Sequence, residues 1–177
     1  MSAAQELVVP SVTQQTFSGT DLRSALGAFA TGVTVITSRG ETHSCGMTAN
    51  AFTSVSLDPP LVLVCVISGT AGAEAIEHNR GFAINVLGAH QEPISRYFSS
   101  KERPRGVRAF DEVEHYTAVT GCPILEGAAA YLDCRLADAH EAGDHVIFIG
   151  EVLAIGLADE VEPLLFHGGR YCKVQAE

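Results

Sequence analysis

The chain has 177 residues, 46% apolar and 18% charged, which suits one sizeable core and excludes an intrinsically disordered protein. Its net charge is −10 and no stretch gathers enough Lys and Arg to offset it, so a nucleic-acid partner is excluded on average electrostatics. Five cysteines lie far apart with no C-x-x-C pair, which argues against a zinc ribbon or dithiol motif and for reduced thiols in the cytoplasm.

Met1 to Val9 carries neither a basic region nor a long apolar core, and no apolar run approaches a membrane span, so a soluble intracellular protein is expected. Residues 1–17 are polar and aperiodic and read as a flexible arm before one domain over 18–177. Thr20 is the expected cap of a short helix with Leu22, Ala25, Leu26 and Phe29 at helical spacing and Gly32 at its end. Strand 33–37 follows, then a turn at Arg39 and Gly40, then a strand over 44–56 interrupted by small polar residues. Asp58-Pro59-Pro60 breaks the chain before 61–67, a buried strand by its length and β-branched content. Helix 71–79, strand 82–87 and helix 91–98 come next, and 99–115 is a basic loop with Lys101, Arg103, Arg105 and Arg108. Strands are expected at 130–137, along 145–157 and at 164–166, with Tyr171 just beyond. Strands outnumber helices and do not alternate with them, so a mainly β (α+β) closed antiparallel barrel with a few short helices fits better than a doubly wound sheet.

The stretch from Gly46 to Ser56 (GMTANAFTSVS) is the most informative for chemistry. Thr48, Asn50, Thr53, Ser54 and Ser56 bring donors and acceptors, and Ala49 and Ala51 leave room, as the wall of a flat heterocycle requires. The same residues suit a polar edge strand equally well. Ser68-Gly69-Thr70 precedes a helix start and fits either a phosphate seat or an ordinary cap. The Lys101–Arg108 loop is a second anion candidate, or simply a solvated loop. Gly143-Asp144-His145 is a turn entering the longest apolar strand, where an imidazole can meet a ligand ring. His140, Glu141, Asp144 and His145 lack the i, i+4 helical pairing of a metal site, so no metal is expected. A Rossmann fingerprint, a P-loop and a nucleophile elbow are all missing from the sequence.

Six segments in order, LGAFATGVTVI (26–36), Gly46 to Ser56, Asp58-Pro59-Pro60, FAINVL (82–87), Gly143-Asp144-His145 and Gly150-Glu151-Val152, resemble the flavin reductase-like family. These proteins are the short-chain reductase components of two-component flavin-dependent monooxygenases, and the resemblance runs from about Leu22 to Val174. It implies an FMN-binding split β-barrel, an antiparallel Greek-key barrel, acting as a homodimer. It implies NAD(P)H:flavin oxidoreductase activity, with FAD (or FMN) reduced by NADH (or NADPH) and handed to a separate monooxygenase. The acidic balance and the want of a paired-Arg pocket lean toward NADH, and short-chain members toward FAD. Carried onto this chain, Thr48, Ala49, Asn50, Ser54, Val55 and Ser56 line the isoalloxazine. Cys65, Ser68 and Thr70 lie toward the ribityl chain and phosphate, and Phe98 and Lys101 toward the phosphate or adenine end. His145 meets the nicotinamide as the catalytic residue, and Tyr171 is an aromatic near the flavin.

Three other readings compete. A non-catalytic split-barrel flavin carrier needs no nicotinamide site, a pyridoxamine-phosphate-type oxidase wants a basic substrate pocket, and an interaction module would use the polar strand as a docking edge.

Overall fold

Serine, not threonine, opens the first helix. The computed structural model describes residues 16–174, so 1–15 of the expected arm and residues 175–177 lie outside the described residues. In α1 (Gly19–Gly27) the Ser18 hydroxyl accepts from the Asp21 amide while the Asp21 carboxylate accepts from the Ser18 amide. This reciprocal pair satisfies two end donors, which places the expected cap Thr20 inside the helix. The helix stops at Gly27, five residues before Gly32.

The strands that follow are β1 (Thr31–Gly32), β2 (Thr34–Arg39), β3 (Ser44–Ala49), β4 (Phe52–Leu57) and β5 (Pro60–Ile67). The expected strand 44–56 is thus two strands, split at Asn50 and Ala51. Then come α2 (Ala71–Asn79), β6 (Gly81–Val86), α3 (Glu92–Ser99), β7 (His115–Thr117), β8 (Pro123–Leu125), β9 (Ala130–Ala142), β10 (His145–Leu157), β11 (Leu165–His167) and β12 (Arg170–Cys172). A short 3₁₀ turn at Gly106–Phe110 orders part of the basic loop.

Seven strands form one antiparallel sheet in the order β3-β2-β6-β9-β10-β5-β4. Flat, its edges would stand about 29 Å apart, six spacings of about 4.8 Å. Yet β3 and β4, the two edges, are joined by Asn50 and Ala51 alone, a link of at most about 11 Å. The sheet must therefore curl until its edges meet. The molecule is an antiparallel barrel, split where β3 leaves β4, with a few short helices outside.

Alternate residues fill both sides of the wall. Ile36, Val64, Phe82, Ile84 and Phe148 pack inside the barrel, while Val33, Val35, Leu87, Phe98 and Phe110 pack beneath α3 and the basic loop. β2 is buried on both faces for this reason. Asn85, fully buried on β6, accepts from the Leu125 amide and donates to Val35 O, pinning β8 against the outer side of the wall. No helix among the described residues is long and apolar enough to cross a membrane.

Candidate functional site

β3 pairs with β2 on one side only, so its other edge is open. Gly46 O lies on that open edge, where it accepts from Arg103 Nη2 at 2.6 Å. Main-chain groups alternate along a strand, so the amide and carbonyl of Thr48 face the same way. Below this edge lies a cleft of about 470 Å³, bounded by Thr48, Ala49 and Asn50, by Cys65 of β5, by Thr70 at the cap of α2, by Phe98 and by His145. Many of its wall residues are narrow. Ala51, Ala71 and Gly72 add to them beside the larger Met47 and Ile67, and a Cβ on Gly72 would stand 2.5 Å from the Met47 sulfur. Open amides, small side chains and a slot between strands fit a flat ring system with carbonyl and nitrogen edges.

The wall is held from behind. Thr48 donates to Ser95 O of α3 at 2.6 Å, and Thr34 donates to Ala49 O at 2.6 Å. Thr70 accepts from the Ala73 amide and donates to Ile67 O at 2.7 Å, fixing the corner where β5 enters α2. A side compartment of about 310 Å³ adjoins the slot, lined by Thr48, Ala49 and Asn50 together with Phe166 and Tyr171. Tyr171 is clamped there, its hydroxyl 2.8 Å from Ser95 Oγ and its ring under the Arg96 guanidinium at 4.8 Å.

Of the residues expected from the sequence, Thr48, Ala49, Asn50, Cys65, Thr70, Phe98 and His145 come together in the slot, with Tyr171 beside it. Lys101 lines a second compartment. Ser54, Val55 and Ser56 do not join them within one chain. The chain passes at Asn50 and Ala51 into β4, which pairs with β5 with a register shift between Ser54 and Ser56, and these three residues do not line the slot. Ser68 also lies outside the lining, but its amide donates to Asp144 O at 3.0 Å and so ties the end of β5 to the turn before β10.

That turn aims the imidazole. Gly143 has φ +66°, which an L side chain adopts only with strain, and Asp144 and His145 follow it into β10. His145 Nδ1 lies 2.7 Å from Asp144 Oδ1. A carboxylate only accepts, so Nδ1 carries the proton and Nε2 is left for the slot. The hydrogen bond and the charge of His145 hold the Asp144 carboxyl below its usual range. His140 pairs instead with Asp138 at 3.2 Å. Among the described residues, no three His, Cys, Asp or Glu side chains gather as a metal would require.

Arg103 was not singled out from the Lys101–Arg108 loop, which reads as an anion candidate or a solvated loop, yet its guanidinium donates to both Gly46 O and Ser100 O. It stands where the slot opens into the second compartment, about 370 Å³ in volume. The presence of Pro104 and Gly106 in the same loop was the one available hint of an ordered path. Cys45 lies at this opening, and burial pushes its thiol up while Arg103 pulls it down. The buried Cys134 thiol is pushed up to about 12 by burial and by the neighbouring Asp133. Protonated thiols are poor nucleophiles, so Cys45 does not supply covalent chemistry to the cleft near neutral pH.

Residues 26–175 match the family model described as "Flavin reductase like domain". The chain is 46% identical over 156 residues to an NADH-dependent FAD reductase of Streptomyces globisporus, covering 85% of this chain and 82% of that protein. It is 44% identical over 149 residues to the FMN reductase (NADH) SmoA of Agrobacterium fabrum, covering 84% and 82%. Among solved structures, BorF, the flavin reductase component of a bacterial two-component tryptophan halogenase, superposes with a TM-score of 0.85 at 38% identity, covering 90% of this chain and all of that one. A slot built for a flat ring, a turn that presents an imidazole to it and a family match over nearly the whole barrel agree, and the chain belongs to the flavin reductase-like family.

Proposed function

We infer that the protein is an NADH-dependent flavin reductase that reduces free FAD or FMN and passes the reduced flavin to a separate monooxygenase. The observation that carries this reading is the junction of the small-residue slot with the His145 turn. A carrier needs only the first, and an enzyme needs a second ring brought against it.

Thr48, Ala49 and Asn50 hold the isoalloxazine, the Thr48 main chain meeting its polar edge and Ala49 leaving it room. Cys65 and Thr70 lie along the ribityl chain, and Phe98 and Lys101 lie toward the phosphate end. His145 meets the nicotinamide with Nε2, steadied by Asp144. Tyr171 closes the slot from the side. When both ligands are bound, NADH supplies a hydride and the flavin accepts it at N5. The chain's own work is to hold two flat partners face to face, an arrangement that lowers a barrier by about 7–11 kcal/mol at best. Neither a general base nor a protein nucleophile is needed, in keeping with the raised Cys45 thiol.

The relatives named for FAD and for FMN leave both flavins as substrates, and the name of BorF supports a separate oxygenase as recipient. A homodimer is supported by apolar surface. Ile155 and Leu157 of β10 are 71% and 84% exposed and Leu57 of β4 is 94% exposed, while α1 buries no residue and leaves Leu26 to solvent, and Phe29 just beyond it is exposed as well. Exposed apolar surface on this scale marks an interface in a folded protein. Five unpaired thiols support a reducing, cytoplasmic setting. One domain over 18–177 is supported by a sheet whose strands run from Thr34 to Leu157.

The test is NADH oxidation by purified protein under air with FAD, with FMN and without flavin. Flavin-dependent loss of NADH is expected. Persistence of NADH and NADPH with either flavin, while flavin still binds, would establish the carrier instead.

A further inference from the structure

We propose that Ser95 is a positioning residue of the ring site, holding the Thr48 wall with its main chain and the Tyr171 wall with its side chain. The proposal rests on the flavin-binding half of the reading above and deepens it by naming what sets the two walls apart.

The choice of residue is the first observation. α3 buries two side chains, Ser95 and Phe98. The phenylalanine fills the core, but a serine adds almost no apolar area, and inside a helix it is a poorer former than alanine. Ser95 is fully buried all the same. A serine within a helix commonly turns its hydroxyl back to the carbonyl four residues earlier. Here it meets the Tyr171 hydroxyl at 2.8 Å instead.

A second tie runs through the main chain. Ser95 O accepts from the Thr48 hydroxyl at 2.6 Å. A carbonyl has two lone pairs, so it can serve the helix and Thr48 together. Thr48 lines both the slot and the side compartment, and Tyr171 lines the side compartment. One buried residue thus joins a wall from β3 to a wall from β12.

The hairpin that carries Tyr171 needs such a tie. Among the described residues β12 pairs with β11 alone, and β11 pairs further only with the two residues of β1. Strands this short are marginal by themselves. Beyond that ladder β12 is held by the Tyr171 side chain, its hydroxyl on Ser95, its ring beneath Arg96 and edge-on to Phe166 at 5.4 Å between centroids. The Arg96 guanidinium is exposed and shared with Glu92, so its stack on the ring contributes modestly. The Ser95 hydrogen bond is the directional contact, and without it the side wall shifts with the hairpin.

The isoalloxazine is common to FAD and FMN, so the effect must be common to both. Calorimetric binding of each flavin to flavin-free protein tests this in Ser95→Ala, in Tyr171→Phe and in the double variant. Each single change should weaken both flavins by about three- to tenfold, the worth of one hydrogen bond. The double variant should bind no more weakly than the weaker single one, because both changes remove the same contact. At saturating flavin, KM for NADH should stay near the wild-type value, a split that a general loosening of the fold would not give. Tyr171 is half-buried and its variant keeps the ring beneath Arg96, so Tyr171→Phe carries the test should Ser95→Ala fail to fold. Unchanged flavin affinity in Tyr171→Phe, a loss confined to FAD, or additive losses in the double variant would overturn the role of Ser95. NADH oxidation by the wild type in the same preparation decides the reductase reading separately, since the binding measurements need no turnover.

Discussion

At the residue scale the account turns on one proton. His145 donates a hydrogen bond from Nδ1 to the Asp144 carboxylate, so the direction in which Nε2 faces the slot is set by a charged neighbour. Because the Asp144 carboxyl is held below its ordinary value, the pair is intact above the usual carboxylate range and is lost only as pH falls through that lowered value. Between neutrality and about pH 5 the NADH dependence should therefore show no acid limb from Asp144. Asp144→Asn should raise KM for NADH across that whole range while flavin affinity changes less. An equal loss of flavin affinity would contradict the role given to the turn. His145 was legible because a Gly-Asp-His turn enters a long apolar strand and because the resemblance includes it. Arg103 was not, because its meaning comes from Gly46 on a strand 57 residues away.

At the scale of elements, local pattern read well where burial is regular. The bounds of α2 are those expected, and β5 gains only Pro60, since β-branched alternation and a capping Thr70 are local signals. It read poorly for β7, β8 and β12, three residues each, which exist because Asn85 and Tyr171 pin them to other elements. The expected strand over 44–56 failed for a related reason: Ser54 to Ser56 alternate as a strand should, but only the barrel's closure decides that β4 lies across the split from β3. β3 also has to pass close under α3. A Cβ on Gly46 would sit 2.3 Å from Phe98 Cε1 and 3.2 Å from Phe110 Cζ, both buried rings. Gly46→Ala should cost about 1–3 kcal/mol and lower the melting temperature by several degrees. An unchanged melting temperature would mean that the rings yield freely and that the wall of the slot is softer than its packing implies.

For the whole molecule, the seven-stranded sheet that curls to bring Ala49 near Phe52 makes both the barrel and its split, and the slot lies at the split. Barrel class was readable from the excess of strands over helices, but closure is a property of strand order, which no window of sequence contains. Charge is organised at this scale too, with an acidic body and a basic loop at the second compartment. The exposed Ile155 and Leu157 belong to it as well. On the proposed homodimer, the wild type should sediment as a dimer at micromolar concentration and the double variant Ile155→Glu, Leu157→Glu as a monomer; a dimeric variant would place the interface elsewhere, and a monomeric wild type would overturn the homodimer.

The most direct measurement is anaerobic mixing of protein, FAD and NADH, following the loss of flavin absorbance in the wild type and in His145→Ala. The account predicts rapid bleaching that saturates with NADH, with the variant needing several-fold more NADH for the same rate. Bleaching no faster than in protein-free buffer, with FAD bound, would contradict it.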